Sequence, residues 1–131
     1  MNTRENIMRD NAALEGLLAA VQRYFDLMYD CDVSKFARVF WTTAQLHGFR
    51  DGAMTVWPYD TYKDVLSKRQ SPKAQNAPRE EKVLLVDFAS ASQALVKVRV
   101  RIGATHFIDY LTYHLIKGEW LITSKAYHVD S

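Results

Sequence analysis

The sequence predicts an α+β fold in which helices come first and an antiparallel sheet follows. Two observations carry this prediction: a long apolar stripe at helical spacing near the N-terminus, and a succession of β-rich segments in the second half of the chain. The segment Ser71–Pro78, which contains proline and small polar residues, forms a loop between the two halves. We therefore expect residues 1–131 to form one domain.

The first helix is the strongest element of the N-terminal half. Its apolar residues recur at spacings of three and four and form one stripe over roughly five turns: Leu14, Leu17, Leu18, Val21, Phe25 and Met28. Residues 1–11 are polar, and we expect them to be flexible or loosely packed. Tyr24 lies about 70° from the centre of the stripe, at its boundary.

Three shorter elements follow the first helix. A second helix is predicted over Val33–Phe40, with Asp32 or Ser34 as its N-cap. The segment Ala44–Arg50 alternates as a strand does and runs into a tight turn at Asp51-Gly52. Pro58 fits the first turn of a third helix, in which Tyr59, Tyr62, Val65 and Leu66 share helical spacing.

The second half of the chain reads as consecutive strands. The predicted strands are Lys82–Phe88, Ala94–Ile102, His106–Ile116 and Glu119–Val129. Small residues make the turn at 89–92, and Lys117-Gly118 closes the last two strands into a hairpin. This arrangement predicts a curved, mainly antiparallel sheet against which the helices pack.

Regular pairing outward from Lys117-Gly118 sorts the last hairpin into two faces. It sets Leu115 opposite Trp120, Tyr113 opposite Ile122, Leu111 opposite Ser124, and Asp109 opposite Ala126. The face toward the helices then carries mostly apolar side chains: Phe107, Asp109, Leu111, Tyr113, Leu115, Trp120, Ile122, Ser124, Ala126 and His128. Asp109 is therefore expected on the core face.

A carboxylate in apolar surroundings either has a structural partner or takes part in proton transfer. Asp109 is thus a candidate general acid or base, and His128 lies diagonally across the predicted ladder as its partner. The alternative is that Asp109 holds the sheet together through a hydrogen bond to a backbone group, a tyrosine or a histidine. The sequence leaves both open.

Other candidates surround this position. His47 reaches Asp109 only if its side chain points inward, and the pattern allows either face. Tyr24 is a ligand-binding candidate or an ordinary boundary tyrosine. Five aromatic residues are proposed as cavity walls: Trp41, Trp57, Phe107, Tyr113 and Trp120. For Trp41 and Trp57, core packing is an alternative role.

Composition excludes several classes of function. The 17 basic and 15 acidic residues leave a net charge of +2, which gives no reason to expect nucleic acid or an acidic membrane as partner. No segment approaches the ~18 apolar residues needed to cross a bilayer. Cys31 is the single cysteine, so no intramolecular disulfide forms, and we expect a cytoplasmic protein. The near-neutral charge points to an uncharged or weakly polar ligand.

No metal or cofactor is predicted. His47, His106, His114 and His128 are scattered and share no ligand spacing. Glycine-rich nucleotide-binding motifs and a P-loop are absent from the sequence. Lys97, Arg99 and Arg101 form a basic row on one strand, which reads as a solvated face or a dimer contact.

Several segments carry a resemblance to a known family. They are Leu46–Gly52, Val56-Trp57-Pro58, Lys68–Pro72, Asp109–Thr112 and Gly118-Glu119-Trp120 through Lys125. In this order they resemble the nuclear transport factor 2 (NTF2)-like superfamily, and within it the branch called putative lumazine-binding proteins, from about Ala12 to His128. The sequence departs from that branch at His114, Leu115 and Leu121. These departures concern the outer side chains of the strands and do not affect Asp109.

The resemblance implies a cone-shaped fold with a pocket between the concave sheet and the helices, and a homodimer formed through the sheet. The superfamily, with its SnoaL-like members, includes ketosteroid isomerases, dehydratases, epoxide hydrolases, polyketide cyclases and non-enzymatic binding modules, so the fold alone does not fix the function. By analogy with the isomerase-like members, Tyr24 and Asp109 would face one cavity.

Two functions therefore compete at this point. One is an isomerase, dehydratase or cyclase in which Asp109 moves a proton, His128 or His47 orients it, and Tyr24 polarises a carbonyl. The other is a non-catalytic dimeric module that binds a small apolar or aromatic molecule, or a protein, in the same cavity. Polar pairs within hydrogen-bond reach inside the cavity favour the first.

Overall fold

The computed structural model describes residues 3–131 as helices packed against one six-stranded sheet, with one helix between its second and third strands. The α+β prediction is confirmed. Its helices are α1 (Thr3–Asp30), a 3-10 helix (Val33–Arg38) and α2 (Tyr59–Lys68). Its strands are β1 (Gln45–Arg50), β2 (Ala53–Pro58), β3 (Glu81–Ser90), β4 (Gln93–Ile102), β5 (Thr105–Ile116) and β6 (Glu119–Val129).

Helix α1 is longer than its apolar stripe. Of the segment 1–11 that we expected to be loose, residues 1 and 2 lie outside the described residues, and 3–11 form the first turns of the helix with mostly exposed side chains. Leu14 and Leu18, which belong to the predicted apolar stripe, are exposed. The buried face turns instead toward Leu17, Val21 and Tyr24, so Tyr24 is a fully buried core residue rather than a boundary tyrosine.

The 3-10 helix and α2 close one end of the sheet. The predicted cap of the 3-10 helix is confirmed at Asp32, whose carboxylate accepts the backbone N–H of Ser34 at 3.1 Å. Pro58 ends β2 and is also the N-cap of α2. Tyr62 and Leu66 are the buried residues of α2, and the ring of Tyr62 meets that of Phe36 edge-on.

The strand order across the sheet is β2-β1-β6-β5-β4-β3. Strands β1 and β6 run parallel and the other neighbours antiparallel, so the sheet is mixed. Strand β2 was not predicted: the sequence indicated only a strand entering the Asp51-Gly52 turn. Asp51 and Gly52 both have positive φ, of 52° and 80°, which is the geometry of a tight two-residue hairpin turn.

A β-bulge in β6 makes the register of the last hairpin differ from the predicted one. Leu115 pairs with Trp120 and Tyr113 with Ile122, as predicted. Beyond that point Thr112 pairs with Ser124, so Thr123 is the extra residue and every later side chain changes face. Leu111 therefore pairs with Lys125, not Ser124, and Asp109 pairs with Tyr127, not Ala126.

The bulge decides which face of β6 the helices cover. We call the face that α1 covers the inner face and the opposite one the outer face. On the inner face stand Asp109, Lys125 and Tyr127, while Ala126 and His128 are exposed on the outer face. The expected position of His128 beside Asp109 is therefore wrong. The Thr123 hydroxyl donates to the carbonyl of Thr112 at 3.3 Å and so stabilises the bulge.

Gly48 allows β1 to lie close to β6. A Cβ atom at this position would lie 2.3 Å from Cε1 of Tyr127, so only glycine leaves room for that ring. The absence of a side chain lets the Tyr127 ring lie across β1. Within residues 3–131 no helix is long and apolar enough to span a membrane.

Candidate functional site

A cavity of about 180 Å³ lies at the end of the sheet where β1, β2, α2 and the inner face meet. Its walls combine aromatic rings with charged groups. The lining residues are Leu46, Arg50, Trp57, Tyr62, Arg69, Ile102, Thr105, Phe107, Asp109, Lys125 and Tyr127. Asp109 and Lys125 are 1% and 4% exposed and form its deep end, whereas Arg50 is exposed and marks its mouth.

Tyr24 fixes the Asp109 carboxylate. The Tyr24 hydroxyl donates a hydrogen bond of 2.5 Å to Asp109 Oδ2, in a contact between α1 and β5 from which water is excluded. Burial, together with the Asp109 charge, raises the pKa of the Tyr24 phenol well above its ordinary value. Tyr24 therefore remains a protonated donor, and its bond orients the carboxylate.

Lys125 brings a cation to the same place. Its Nζ lies 4.0 Å from Asp109 Oδ2 and donates to the Tyr62 hydroxyl at 2.8 Å. It also lies 3.8 Å from Met28 Sδ and about 5 Å from the ring centroids of Tyr24 and Tyr62. An ammonium group has three N–H donors. Tyr62 accepts one of them and Met28 is a weak acceptor, so Lys125 retains donor capacity for a ligand.

Two buried side-chain oxygen atoms of the lining have no hydrogen-bond partner among the described residues. They are Asp109 Oδ1 and the Tyr127 hydroxyl, both buried. A buried polar group without a partner costs free energy, so such groups in a cavity wall commonly mark where a ligand or water binds. The cavity thus offers one acceptor at its deep end and one free phenol.

The mouth of the cavity carries two guanidinium groups. Arg50 Cζ lies 5.9 Å from the ring centroids of both Trp57 and Tyr127, so the guanidinium is held near two aromatic walls. Arg69 follows directly after α2 and is half-buried. Within residues 3–131 neither arginine forms an ion pair with a carboxylate.

The structure brings some predicted site residues together and separates others. Asp109 and Tyr24 meet, and Trp57 and Phe107 line the cavity. His47 and His128 are exposed on the outer face and do not reach it.

The remaining aromatic candidates pack elsewhere. Tyr113 and Trp120 share the inner face but lie in the core beside α1, where Trp120 meets Phe88 edge-on at 6.0 Å. Trp41 is half-buried, and its backbone N–H donates to the carbonyl of Ile122 at 2.9 Å. None of these three belongs to the cavity lining.

Sequence reasoning missed Lys125, Tyr62, Tyr127, Arg50 and Arg69 as site residues. Lys125 and Tyr127 were assigned to the outer face because the bulge at Thr123 was not foreseen. Arg50 was accessible to prediction, since alternation along β1 places it on the same face as Leu46 and Gly48. Arg69 lies just past a helix end and carried no signal of its own. In the described part of the chain, no cluster of three or more His, Cys, Asp or Glu is arranged to hold a metal ion.

Comparisons of the fold find many similar solved structures. An NTF-2 like protein of unknown function from Silicibacter pomeroyi has 23% identity and a TM-score of 0.75, with 99% of this chain and 100% of that chain covered. A ketosteroid isomerase-like protein from Erwinia carotovora atroseptica has 14% identity and a TM-score of 0.70, covering 90% and 96%. A hexachlorocyclohexane dehydrochlorinase has 10% identity and a TM-score of 0.68, covering 95% and 89%.

At these identities the similarity concerns the fold alone, which is NTF2-like. The comparison with curated proteins finds no match. Residues 12–128 match the protein family described as putative lumazine-binding, a span that includes every residue of the cavity lining. The chain therefore belongs to the putative lumazine-binding family, and its fold is NTF2-like.

Proposed function

We propose that the cavity binds a small aromatic or apolar molecule with a carbonyl group, and that Asp109 transfers a proton next to that carbonyl. The observation that carries this proposal is the state of the Asp109 carboxylate. Oδ2 accepts the Tyr24 hydroxyl, while Oδ1 has no partner among the described residues and the side chain lines the cavity. A held carboxylate with one open acceptor is suited to act as a general base.

The chemistry follows from the groups at the deep end. Asp109 Oδ1 takes the proton from the carbon beside the carbonyl. The electron pair of that C–H bond becomes the carbon–carbon double bond of an enolate, and the π pair of the carbonyl moves onto its oxygen. Lys125 Nζ, with Tyr62 beside it, donates a hydrogen bond to the oxygen as it becomes negative. Return of the proton from Asp109 to the far carbon of a conjugated double bond gives isomerisation. Departure of a β-hydroxyl group, which takes that proton and leaves as water, gives dehydration.

Tyr24 takes a different role from the one expected of it. Its hydroxyl donates to Asp109 and the residue is absent from the cavity lining, so it acts on the substrate only through the carboxylate. It is a positioning residue. Lys125 and Tyr62, which do line the cavity, take the role of polarising the carbonyl.

The test is exchange of α-protons in D₂O, followed by proton NMR. The probes are phenylpyruvate and the neutral ketone phenylacetone, both of which carry exchangeable protons beside a carbonyl. The protein should accelerate loss of these signals, and Asp109→Asn should return the rate to that of buffer. Asp87→Asn, an exposed carboxylate on β3, is the matched control. Failure of the wild type to accelerate either probe, or an unchanged rate in Asp109→Asn, would contradict the proposal.

The competing function, a non-catalytic binding module, has one observation in its favour. Asp109 already has two partners, Tyr24 and Lys125, which is the arrangement of a structural buried network. In that case ligand binding would persist without any proton exchange. The open donors of Lys125 and the free Oδ1 of Asp109 favour the catalytic proposal.

A homodimer formed through the outer face is also proposed. One row of paired residues crosses all six strands on this face: Val56, His47, Ala126, Tyr110, Lys97 and Leu85. Large apolar side chains of the face are exposed, with Phe49 at 66% and Tyr110 at 42%. Exposed apolar surface of this kind marks protein contacts.

Sedimentation velocity tests the dimer. The wild type should sediment as a dimer, and Tyr110→Glu combined with Phe49→Glu should give monomer. Leu18→Glu, a change at a comparably exposed apolar residue of α1, should leave the dimer intact. A monomeric wild type at micromolar concentration would overturn the proposal.

The cytoplasm is the proposed compartment. Its support is the single cysteine, Cys31, which is free and buried. A fold that uses no disulfide suits a reducing environment. Fractionation of cells that express the chain tests this, and recovery outside the cytoplasmic fraction would contradict it.

A further inference from the structure

The charge of the cavity differs from the charge of the whole chain. The lining contains three cationic side chains, Arg50, Arg69 and Lys125, and one anionic side chain, Asp109. Formal charges of these groups leave the cavity with two uncompensated positive charges, although the entire chain carries only +2. The walls therefore attract an anion.

The positive charges are separated by depth. Lys125 lies at the buried end, 4.0 Å from Asp109 Oδ2, where the two charges largely balance each other. Arg50 and Arg69 are more exposed and have no carboxylate partner within residues 3–131. The excess positive charge is thus at the mouth, away from Asp109.

The cavity lining also contains a buried donor without a partner, on a residue whose ring lies near Arg50. The Tyr127 residue is 9% exposed, and its hydroxyl makes no hydrogen bond to any described residue. The Arg50 guanidinium lies 5.9 Å from the centroid of the same ring. A phenol and a guanidinium that are both unbonded, and that border one cavity, form a donor set for a planar anion.

The size of the cavity limits what accompanies the anion. A dry cavity of about 150 Å³ holds one benzene ring, and this cavity has about 180 Å³. Trp57, Phe107 and Tyr127 supply aromatic walls. One aromatic ring with one small charged substituent fits this space and these walls.

We propose that the ligand is a small aromatic carboxylate, whose carboxylate group binds Arg50, Arg69 and the Tyr127 hydroxyl at the mouth while the rest of the molecule extends toward Asp109 and Lys125. This inference rests on the proposed function, because it names the class of molecule that the same cavity takes. It replaces the uncharged ligand that the net charge of the chain had suggested. The carboxylate anchors the molecule and leaves the deep end for the reacting carbon.

The probes are benzoate and benzamide, which have the same ring and nearly the same shape but differ in charge. Binding is measured by isothermal titration calorimetry on the full chain at low ionic strength. Benzoate should bind at least about tenfold more tightly than benzamide, because hydrogen bonds to charged groups are the stronger ones. Added salt should weaken benzoate binding and leave benzamide unchanged.

Variants locate the binding to the mouth. Arg50→Gln and Arg69→Gln should each weaken benzoate binding about five- to tenfold and leave benzamide binding unchanged. Tyr127→Phe should weaken benzoate binding by a smaller factor. Arg38→Gln, at an arginine paired with Glu119 outside the cavity, is the matched control and should change neither. Circular dichroism and thermal melting establish that each variant is folded.

The outcomes separate this inference from the proposed function. Equal affinity for the two probes, absence of binding by both, or benzoate selectivity that survives in both arginine variants would overturn the carboxylate assignment. Charge-selective binding without any α-proton exchange would support the carboxylate site and contradict the catalytic proposal. Accelerated α-proton exchange of phenylacetone, without tighter binding of benzoate than of benzamide, would support the catalytic proposal and contradict the carboxylate site.

Discussion

The hydroxyl of Tyr24 and Oδ2 of Asp109 are joined by a buried hydrogen bond of 2.5 Å, which links the C-terminal part of α1 to the middle of β5. The two residues are 85 positions apart in sequence. This contact is therefore formed only when the helix has packed on the sheet. It combines a structural role, the joining of the two layers, with the orientation of the carboxylate at the deep end of the cavity.

Loss of the Tyr24 hydroxyl should destabilise the fold. In Tyr24→Phe the ring still packs, but Asp109 loses its buried donor, and we expect the free energy of unfolding to fall by about 1 to 3 kcal/mol. Urea denaturation measures the change. Tyr59→Phe is the matched control, because the Tyr59 hydroxyl makes no hydrogen bond to a described residue, and it should change stability by no more than about 0.5 kcal/mol. Equal losses of unfolding free energy in the two variants would show that the Tyr24–Asp109 hydrogen bond does not stabilise the fold.

Stability should decrease steeply in alkaline solution. Burial raises the pKa values of the Tyr24 and Tyr113 phenols above the ordinary value, so above about pH 10 the unfolded chain releases protons that the folded chain retains. The folded state then binds more protons, and its stability falls as pH rises, by about 1.4 kcal/mol per pH unit for each phenol.

Tyr113→Phe isolates one of these two contributions. The Tyr113 hydroxyl has no hydrogen-bond partner among the described residues, so its removal should cost little at neutral pH. Above about pH 10 the variant should lose stability less steeply than the wild type, by about 1.4 kcal/mol per pH unit. Urea unfolding at a series of pH values checks this, and identical slopes would contradict it.

Gly48→Ala should destabilise the junction between β1 and β6. The new methyl group would lie 2.3 Å from the Tyr127 ring, and overpacking of this kind costs about 1 to 3 kcal/mol. Thermal and urea unfolding measure it, and Tyr127→Leu in the same chain should recover part of the loss. Gly16→Ala on α1, where the nearest atom is 3.4 Å away, should leave stability unchanged or raise it. A Gly48→Ala protein as stable as the wild type would show that the ring moves aside freely.

Lys125 and Asp109 should be energetically coupled. Lys125→Met leaves a buried carboxylate without its cation, which typically costs about 3 to 5 kcal/mol for a close pair. Asp109→Asn in the same chain should relieve part of that cost, giving a coupling free energy of about 1 to 3 kcal/mol in a double-mutant cycle. The exposed pair of Asp64 and Lys68 on α2 is the control, with an expected coupling of about 0.3 to 0.5 kcal/mol. A coupling as small as that of the control would mean that the 4.0 Å separation is too long to matter.

Most of the fold was predictable from local patterns. The period of the apolar residues indicated α1, and alternation indicated β4, β5 and β6 within a few residues of their ends. Strand β2 was missed because Met54, Thr55, Val56 and Trp57 lie between a turn and a helix and alternate only weakly in burial. Pairing with β1, a tertiary contact, decides its conformation.

The candidate site was predictable only in part, and the reason is the bulge at Thr123. β5 has no extra residue between the hairpin turn and Asp109. Counting alternate residues from the turn therefore placed Asp109 correctly on the inner face. In β6 the extra residue Thr123 exchanged the two faces from Ser124 onward, so Lys125 and Tyr127, and not His128, lie on the inner face. Bulges depend on packing between strands, which alternation in a single strand does not record.

The charge of the cavity was also not predictable from the sequence. Arg50, Arg69 and Lys125 come from β1, the residue after α2, and β6, and only the folded chain brings them to one cavity. A net charge near zero for the chain is compatible with a positive cavity because, among the described residues, Asp109 is the one acidic residue of the cavity lining. Local charge therefore follows from topology and not from composition.

The most direct measurement combines chemistry and binding in one experiment: α-proton exchange of phenylpyruvate in D₂O, with benzoate as competitor, for the wild type and Asp109→Asn. The wild type should accelerate exchange, and benzoate should inhibit it competitively with an inhibition constant equal to its calorimetric dissociation constant. Asp109→Asn should still bind benzoate, at least as tightly, because a like charge has been removed, while its exchange rate falls by about 10² to 10⁴. Exchange by Asp109→Asn at the wild-type rate would contradict the account.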